Sequence, residues 1–381
     1  MNAFTAYLGG FLTYAPTLVV HVLLARAAIR RWPRFRGLFL LIAAVPFGME
    51  LTRWPLTAGR IQLPAWFIFG MALWLYTAFF GYLCFHAVRF TATRLFARRD
   101  ADVGRRQLIR SVAYASLLAP ASVSLYGTFI ERTDFGVEEV TLPVPNLPDD
   151  LEGLRILQIS DVHRSVFLSR EELERVVDAA RGLSPHLIMH TGDFISSKGD
   201  PLEECIEQLS RLRCTLGAFG CLGNHELYAQ VEAQATALAG QRGIRVLRQE
   251  AQLLRIGTAQ LNLVGVDYQR SVDREHYLAG VEHMVVPGAV NLLLSHNPDV
   301  FPTAARMGFA VTLAGHTHGG QVRTEILGAD INPARFYTPF VKGLYRQDGK
   351  LCYVTRGIGS IGIPSRVGSP PEITLIRLSR A

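Results

Sequence analysis

Five apolar runs in the second half of the chain each stop at residues able to bind a metal ion, and this repeated ending limits the fold more than any other feature. LRILQIS leads into Asp161 and His163, HLIMHT into Gly192 and Asp193, and LGAFGCL into Gly223, Asn224 and His225. VNLLLS leads into His296, and FAVTLA into Gly315, His316 and His318. Short apolar runs bounded by glycine or polar residues predict buried strands. Between them, residues 169–181, 201–213 and 228–239 carry helical patterns, the first opening on Ser-Arg-Glu-Glu. Strands alternating with helices predict an α/β domain, and ligands of such sheets gather beyond the carboxyl ends of the strands. All five polar clusters fall at that end.

A single pair such as His316 and His318 says little, because alternate residues of any strand share a face. The set says more. Turns favour glycine, asparagine, aspartate, serine and proline and have no special use for histidine. Six of the nine histidines after position 130 nevertheless stand at these strand ends, His190 included. His190 is expected to pack or point away from the site; His186, His276 and His283 receive no functional role. The spacings resemble the calcineurin-like metallophosphoesterase superfamily, whose motif set appears here as DVH, GD, GNHE, the histidine of SHNPD, and GHTHGGQ. The resemblance covers roughly residues 137–378, and the closing stretch YVTRGIGSIGIPSRVGSPPEI is similar to bacterial membrane-associated or exported phosphodiesterases of that superfamily.

The resemblance implies an α/β metallophosphoesterase domain made of a two-sheet β-sandwich flanked by helices. It also implies two divalent metal ions. Asp161, His163 and His318 would hold one, Asn224, His296 and His316 the other, and Asp193 would bridge them. Two such ions activate a shared hydroxide and clamp the phosphoryl oxygens during in-line displacement. His225 would protonate the leaving oxygen or stabilise the phosphoryl charge. Imidazoles mixed with a few oxygen ligands suit manganese, iron or zinc better than magnesium. Glycines 192, 223 and 315 would let the backbone turn sharply and approach the ions. Two features depart from the family pattern: Glu226 stands where aspartate is commoner, and Arg164 and Ser165 stand where many members have glycine. Arg164 and Arg366 are candidates for contact with a substrate phosphate.

The first 130 residues read differently. They hold 14 of the 39 basic residues but only three of the 32 acidic ones, Glu50, Asp100 and Asp102. The net charge of +7 therefore belongs to this region, the remainder is mildly acidic, and no nucleic-acid surface is expected. Residues 4–25, 63–88 and 108–130 are each long enough to cross a bilayer core, and residues 37–51, which carry Pro46 and Glu50, form a shorter fourth span. Arginines crowd the link RAAIRRWPRFR and residues 89–110, whereas residues 52–62 carry only Arg53 and Arg60. By the positive-inside rule both arginine-rich links are cytoplasmic. Everything after about residue 131 then lies on the periplasmic side of a bacterial inner membrane. GRRQLIR at 104–110 resembles an internal twin-arginine signal and reads equally as a basic flank; both give the same topology.

The expected organisation is a membrane region over 1–130, a proline-bearing connection over 131–152 that opens on a short strand, and a catalytic domain over 153–381. Five cysteines without metal-type spacing read as isolated buried thiols. The aromatic segment RFYTPFVKGLY, 335–345, is open to two readings: a rest on the membrane surface that admits lipid-bearing substrates, or loop residues capping the core. The expected function is a membrane-anchored hydrolase of phosphodiester or pyrophosphate bonds, with lipid-linked or envelope phosphates as the favoured substrates. The competing class is a membrane sensor that binds a ligand in a phosphoesterase-like domain without turnover. Loss of a metal ligand would be expected of the second, and none is lost here.

Overall fold

The computed structural model describes residues 65–96, 103–326 and 329–381, with scattered positions between 19 and 40. Met1–Tyr126 and Gly127–Ala381 form two compact units. In the first, helix α1 (Ala65–Phe96) is apolar along most of its length, and α2 (Val103–Phe129) follows it. Phe69–Ala92, within α1, and Gln107–Thr133, which runs past the end of α2, are long and apolar enough to cross a membrane. They answer to the expected spans 63–88 and 108–130. The expected spans 4–25 and 37–51 lie, apart from isolated positions, outside the described residues.

The second unit is built on two six-stranded mixed sheets. In chain order the strands are β1 (Gly136–Val144), β2 (Arg155–Ile159), β3 (Leu187–Thr191), β4 (Gly217–Cys221), β5 (Ile244–Val246), β6 (Glu250–Ile256) and β7 (Ala259–Gly265). Then come β8 (Val290–Leu294), β9 (Val311–Ala314), β10 (Thr324–Ile326), β11 (Ala329–Ile331), β12 (Gly343–Gln347), β13 (Lys350–Val354) and β14 (Glu372–Arg380). The first sheet runs β1-β14-β2-β3-β4-β5 and the second β12-β13-β9-β8-β7-β6, with β10 and β11 as a separate hairpin. β2 to β5 are mutually parallel, as are β7, β8, β9 and β13.

Burial on both faces explains why these central strands read as continuous apolar runs. Ile156, Leu187, Met189 and Cys221 of the first sheet meet Leu261, Leu263, Leu292, Leu294 and Leu313 of the second in one core. Their neighbours Leu157, Ile159 and Ile188 face the other way, against helices α3 (Arg170–Arg181), α4 (Leu202–Leu209) and, beyond α5 (Asn224–Ala229), α6 (Glu232–Gln241). The far face of the second sheet is covered by Leu278, Val300 and Ala304, the last within α7 (Phe301–Met307). All five cysteines are free, and Cys205, Cys221 and Cys352 are buried.

Local chemistry sets the element boundaries. Ser169 accepts from Glu172 N while the Glu172 carboxylate accepts from Ser169 N, a reciprocal cap that fixes the start of α3. The helix expected over 228–239 is broken: Gln230 is left-handed with φ of 59°, so α5 ends at Ala229 and α6 starts at Glu232. The reason lies in α5, whose Glu226 is engaged at the site described below and holds this short helix in its own orientation. The strand expected near residue 133 spans nine residues because it pairs in parallel with β14 along its whole length. Removing side-chain volume from the inner core, as in Leu292→Ala, should cost about 2–5 kcal/mol. Ser169→Ala should cost only about 1 kcal/mol; thermal unfolding of the two variants checks the order.

Candidate metal centre

Sharp turns at the carboxyl ends of five strands present the polar residues. Asp161 and His163 follow β2, Asp193 follows β3, Asn224 and His225 open α5 after β4, His296 follows β8, and His316 and His318 follow β9. Asp161, His163, Asp193, His316 and His318 all have φ between 46° and 74°. That left-handed region is costly for a residue with a Cβ, and such strain collects at functional sites. The turns also need bare backbone: a Cβ on Gly223 would stand 2.1 Å from Asp193 Oδ1, and one on Gly315 2.2 Å from Asp161 Oδ2.

Three groups of three side chains result: Asp161, His163 and His318; Asp193, His296 and His316; and His163, Asp193 and His225, which overlaps both. The candidate ligand atoms within each group lie within 4.8 Å of one another. Asp193 joins the groups, its Oδ2 lying 3.0 Å from His296 Nε2 and 3.5 Å from His163 Nε2. His163 Nε2 and His318 Nε2 are 3.1 Å apart, a spacing that brings two lone pairs to one point. Asn224 is buried, and its Oδ1 has no hydrogen-bond partner among the described residues. An orphaned buried oxygen beside a cluster of imidazoles and carboxylates fits a divalent cation.

Outer contacts aim the rings. His296 Nδ1 lies 2.6 Å from Thr191 O and His163 Nδ1 3.1 Å from Ser196 Oγ, while His318 Nδ1 is 3.3 Å from Gly359 O. A proton on each Nδ1 leaves the Nε2 lone pair facing inward. His316 is turned the other way, with Nδ1 3.3 Å from His296 Nε2 and Nε2 3.5 Å from the Tyr268 hydroxyl. Burial pushes His163 and His316 down to about 3 and His318 well below its ordinary value, so all three are neutral donors at neutral pH. For His296 burial works against the charge, but Asp193 and Asp161 raise it to about 10, so its Nε2 carries a proton toward Asp193 and a cation there would have to displace it. Burial raises Asp161 to about 6; it also opposes the charge on Asp193, which His296 and His163 nevertheless hold well below the usual carboxylate range.

His225 adjoins this centre, with His163 and Asp193 within 4.8 Å. Its amide donates to Asp193 Oδ1 at 2.9 Å and its Nδ1 lies 2.6 Å from Ser196 O. His190 packs, as expected, beside Phe194, and burial lowers it to about 4. The two arginines are placed otherwise than expected for substrate contacts. Arg164 spends its donors on Glu204 and on the carbonyls of Ser165 and Leu168. Arg366 is wholly buried, and its guanidinium is surrounded by backbone carbonyls and His318. Of the aromatic segment, Phe340 and Tyr345 pack with each other and Phe340 with Phe301, whereas Phe336 and Tyr337 are 90% and 81% exposed.

Glu226 and Tyr268 were not read from the sequence as site residues. Tyr268 follows β7 with no motif to mark it. Glu226 stood in view within GNHE, and its length now has a reason. Its two oxygens accept from the amides of Gly223, Asp193 and Phe194 at 2.8, 3.0 and 2.7 Å, stitching the ends of β3 and β4 together. Burial, then the charge on Asp193, pushes it up to about 7. Glu226→Gln turns an acceptor into a donor facing amide donors. It should cost about 1–3 kcal/mol of stability, seen as a lowered thermal midpoint with secondary structure retained.

Residues 154–320 match the family described as calcineurin-like phosphoesterase. A "transmembrane protein with metallophosphoesterase domain" of Danio rerio is 32% identical over 283 residues, 70% of this chain and 62% of that protein, so the chain spans less than two thirds of this relative. The phosphodiesterase YaeI of Escherichia coli is 27% identical over 292 residues, 72% of this chain and 99% of that protein. The UDP-2,3-diacylglucosamine pyrophosphatase LpxG of Chlamydia trachomatis is 27% identical over 320 residues, covering 68% and 94%. The family match lies over the strands that converge on Asp193, and it is residues 154–320 that form a calcineurin-like phosphoesterase domain.

Proposed function

We propose that the chain is a membrane-anchored, dinuclear-metal phosphoesterase that hydrolyses phosphodiester or pyrophosphate bonds outside the cytoplasm. The observation that carries this reading is the pair of ligand groups sharing Asp193. Asp161, His163 and His318 would hold one ion, Asn224, His296 and His316 the other, and Asp193 would serve both. Manganese, iron and zinc suit this donor set. When bound, the ions supply Lewis-acid polarisation of the phosphoryl oxygens and a nucleophile at neutral pH.

The chain's own residues do the rest. His225, whose Nδ1 is held by Ser196 O, keeps Nε2 for delivering a proton to the leaving oxygen. Tyr268 steadies the His316 ring from the outside. Asp193 is fixed by the protein's own contacts, since Glu226 accepts from its amide and its Oδ1 accepts from His225 N. Such pre-organisation keeps the reacting geometry from depending on loop closure.

The organisation is proposed as a membrane region over 1–130, a connection over 131–152 and a catalytic domain over 153–381. Arginine-rich links on the cytoplasmic side put that domain on the periplasmic face of a bacterial inner membrane. The relative named for a pyrophosphatase of a diacylated UDP-sugar supports a lipid-linked substrate. Phe336 and Tyr337, exposed at a loop tip, are the residues we assign to contact with acyl chains or the bilayer.

Purified full-length chain in detergent, loaded with manganese, iron or zinc, should hydrolyse a chromogenic diester, and Asp193→Asn should abolish the rate. His316→Ala and His318→Ala should each reduce bound metal from two ions to one, by elemental analysis. A wild type that retains two ions but turns over neither diesters, monoesters nor acylated pyrophosphates would establish the sensor instead. Phe336→Ser combined with Tyr337→Ser should lower turnover of an acylated pyrophosphate in vesicles and leave the soluble diester unchanged. Equal loss on both substrates would remove the lipid role.

A further inference from the structure

The last turn of α2, from Gly127 onward, belongs to the catalytic unit and is built into the support of a metal ligand. A Cβ on Gly127 would stand 2.5 Å from Ser365 Oγ and 2.6 Å from both Arg366 O and Val367 Cγ2, so only glycine admits this approach. The Gly127 carbonyl is among the last of the helix, which lack a partner within it. It accepts from Arg366 N at 3.0 Å. Just past the helix, the buried Glu131 accepts from Ser369 N at 2.9 Å. Arg132 ties the same turn to Glu172 at 2.9 Å, at the capped start of α3. Two hydrogen bonds, one to the Gly127 carbonyl and one to the Glu131 carboxylate, thus pin the backbone of segment 365–369 to the end of an apolar helix.

That segment carries the groups that seat His318. Arg366 donates from Nε to Gly359 O at 3.0 Å and from its terminal nitrogens to Ser369 O at 3.1 Å and Arg356 O at 2.9 Å. No carboxylate lies within ion-pair distance of it among the described residues. A guanidinium buried among carbonyls is expensive unless a function retains it. Gly359 O, which Arg366 holds, is also the oxygen 3.3 Å from His318 Nδ1, so the guanidinium orients the acceptor that this ring N–H faces. Ser369 Oγ donates to the His318 carbonyl at 2.9 Å, fixing the left-handed backbone of the ligand itself.

We propose that Arg366 is a positioning residue for His318, and that the end of α2, through Gly127 and Glu131, holds Arg366 in register. The apolar helix is then a structural input to one of the two metal positions as well as an anchor. The inference rests on the metal-centre reading given above. It differs from a purely structural role in being selective: only the ion bound by His318 is affected.

Manganese titration of the full-length chain in detergent, followed by electron paramagnetic resonance, separates the cases. Wild type should take up two ions. Arg366→Met, and independently Glu131→Gln and Gly127→Ala, should weaken one ion by about 10–100-fold, the range for loss of an outer-sphere partner, and leave the other at wild-type affinity. Arg366→Met should add nothing in a His318→Ala background, yet act in full beside His316→Ala. Unchanged affinity at both positions, or equal weakening of both with a lowered thermal midpoint, would overturn the proposal while leaving the metal centre intact. A wild type that binds neither manganese nor, by elemental analysis after loading, iron or zinc would instead remove the metal-centre reading, and this inference with it.

Discussion

The buried charge of Asp193 is the constraint on which the rest of this domain depends. Its side chain is 2% exposed, and a carboxylate so placed carries a desolvation cost of several kcal/mol unless cations and donors surround it. The fold surrounds it from three other strand ends. His296 approaches Oδ2 from β8, His163 from β2, the His225 amide binds Oδ1 after β4, and the Asp193 carbonyl accepts from His163 N at 3.0 Å. Gly223 has to be glycine because the carboxylate occupies the space of its Cβ.

Holding these groups together requires a platform that does not relax. The apolar interior between the two sheets supplies it, with Leu187, Leu261, Leu292 and Leu313 fully buried at the strands that lead to the site. Close packing of this kind resists displacement, and so it can maintain left-handed backbone at five ligand-bearing positions. Glu226 extends the platform to the loops, since one carboxylate accepts from amides of two different strand ends. The additional methylene relative to aspartate gives it that reach.

Much of this was legible in the residues. Apolar runs ending in Asp161, Asp193, Asn224, His296 and His316 announced five buried strands and the polar residues at their ends, because strands buried on both faces exclude polar residues until the sheet stops. The capped start of α3 was likewise written in Ser169 and Glu172. The break at Gln230 was not, since the pattern of 228–239 is helical and only the placement of Glu226 in the site interrupts it. Nor was the fate of the arginines. A charge beside a motif suggests a phosphate, whereas burial gave Arg164 to Glu204 and Arg366 to backbone carbonyls.

Local sequence therefore determined which residues could bind metal and at which end of which strand they would stand, because strand periodicity and turn chemistry act over a few residues. Tertiary structure alone decided which of them meet. His163 and His318 are 155 positions apart, and their Nε2 atoms come within 3.1 Å only through the order of strands in two packed sheets. The same order carries the end of an apolar helix to the loop behind His318, a contact between Glu131 and Ser369 across 238 positions. Side-chain chemistry was local; the coordination geometry depends on long-range packing, which no short motif encodes.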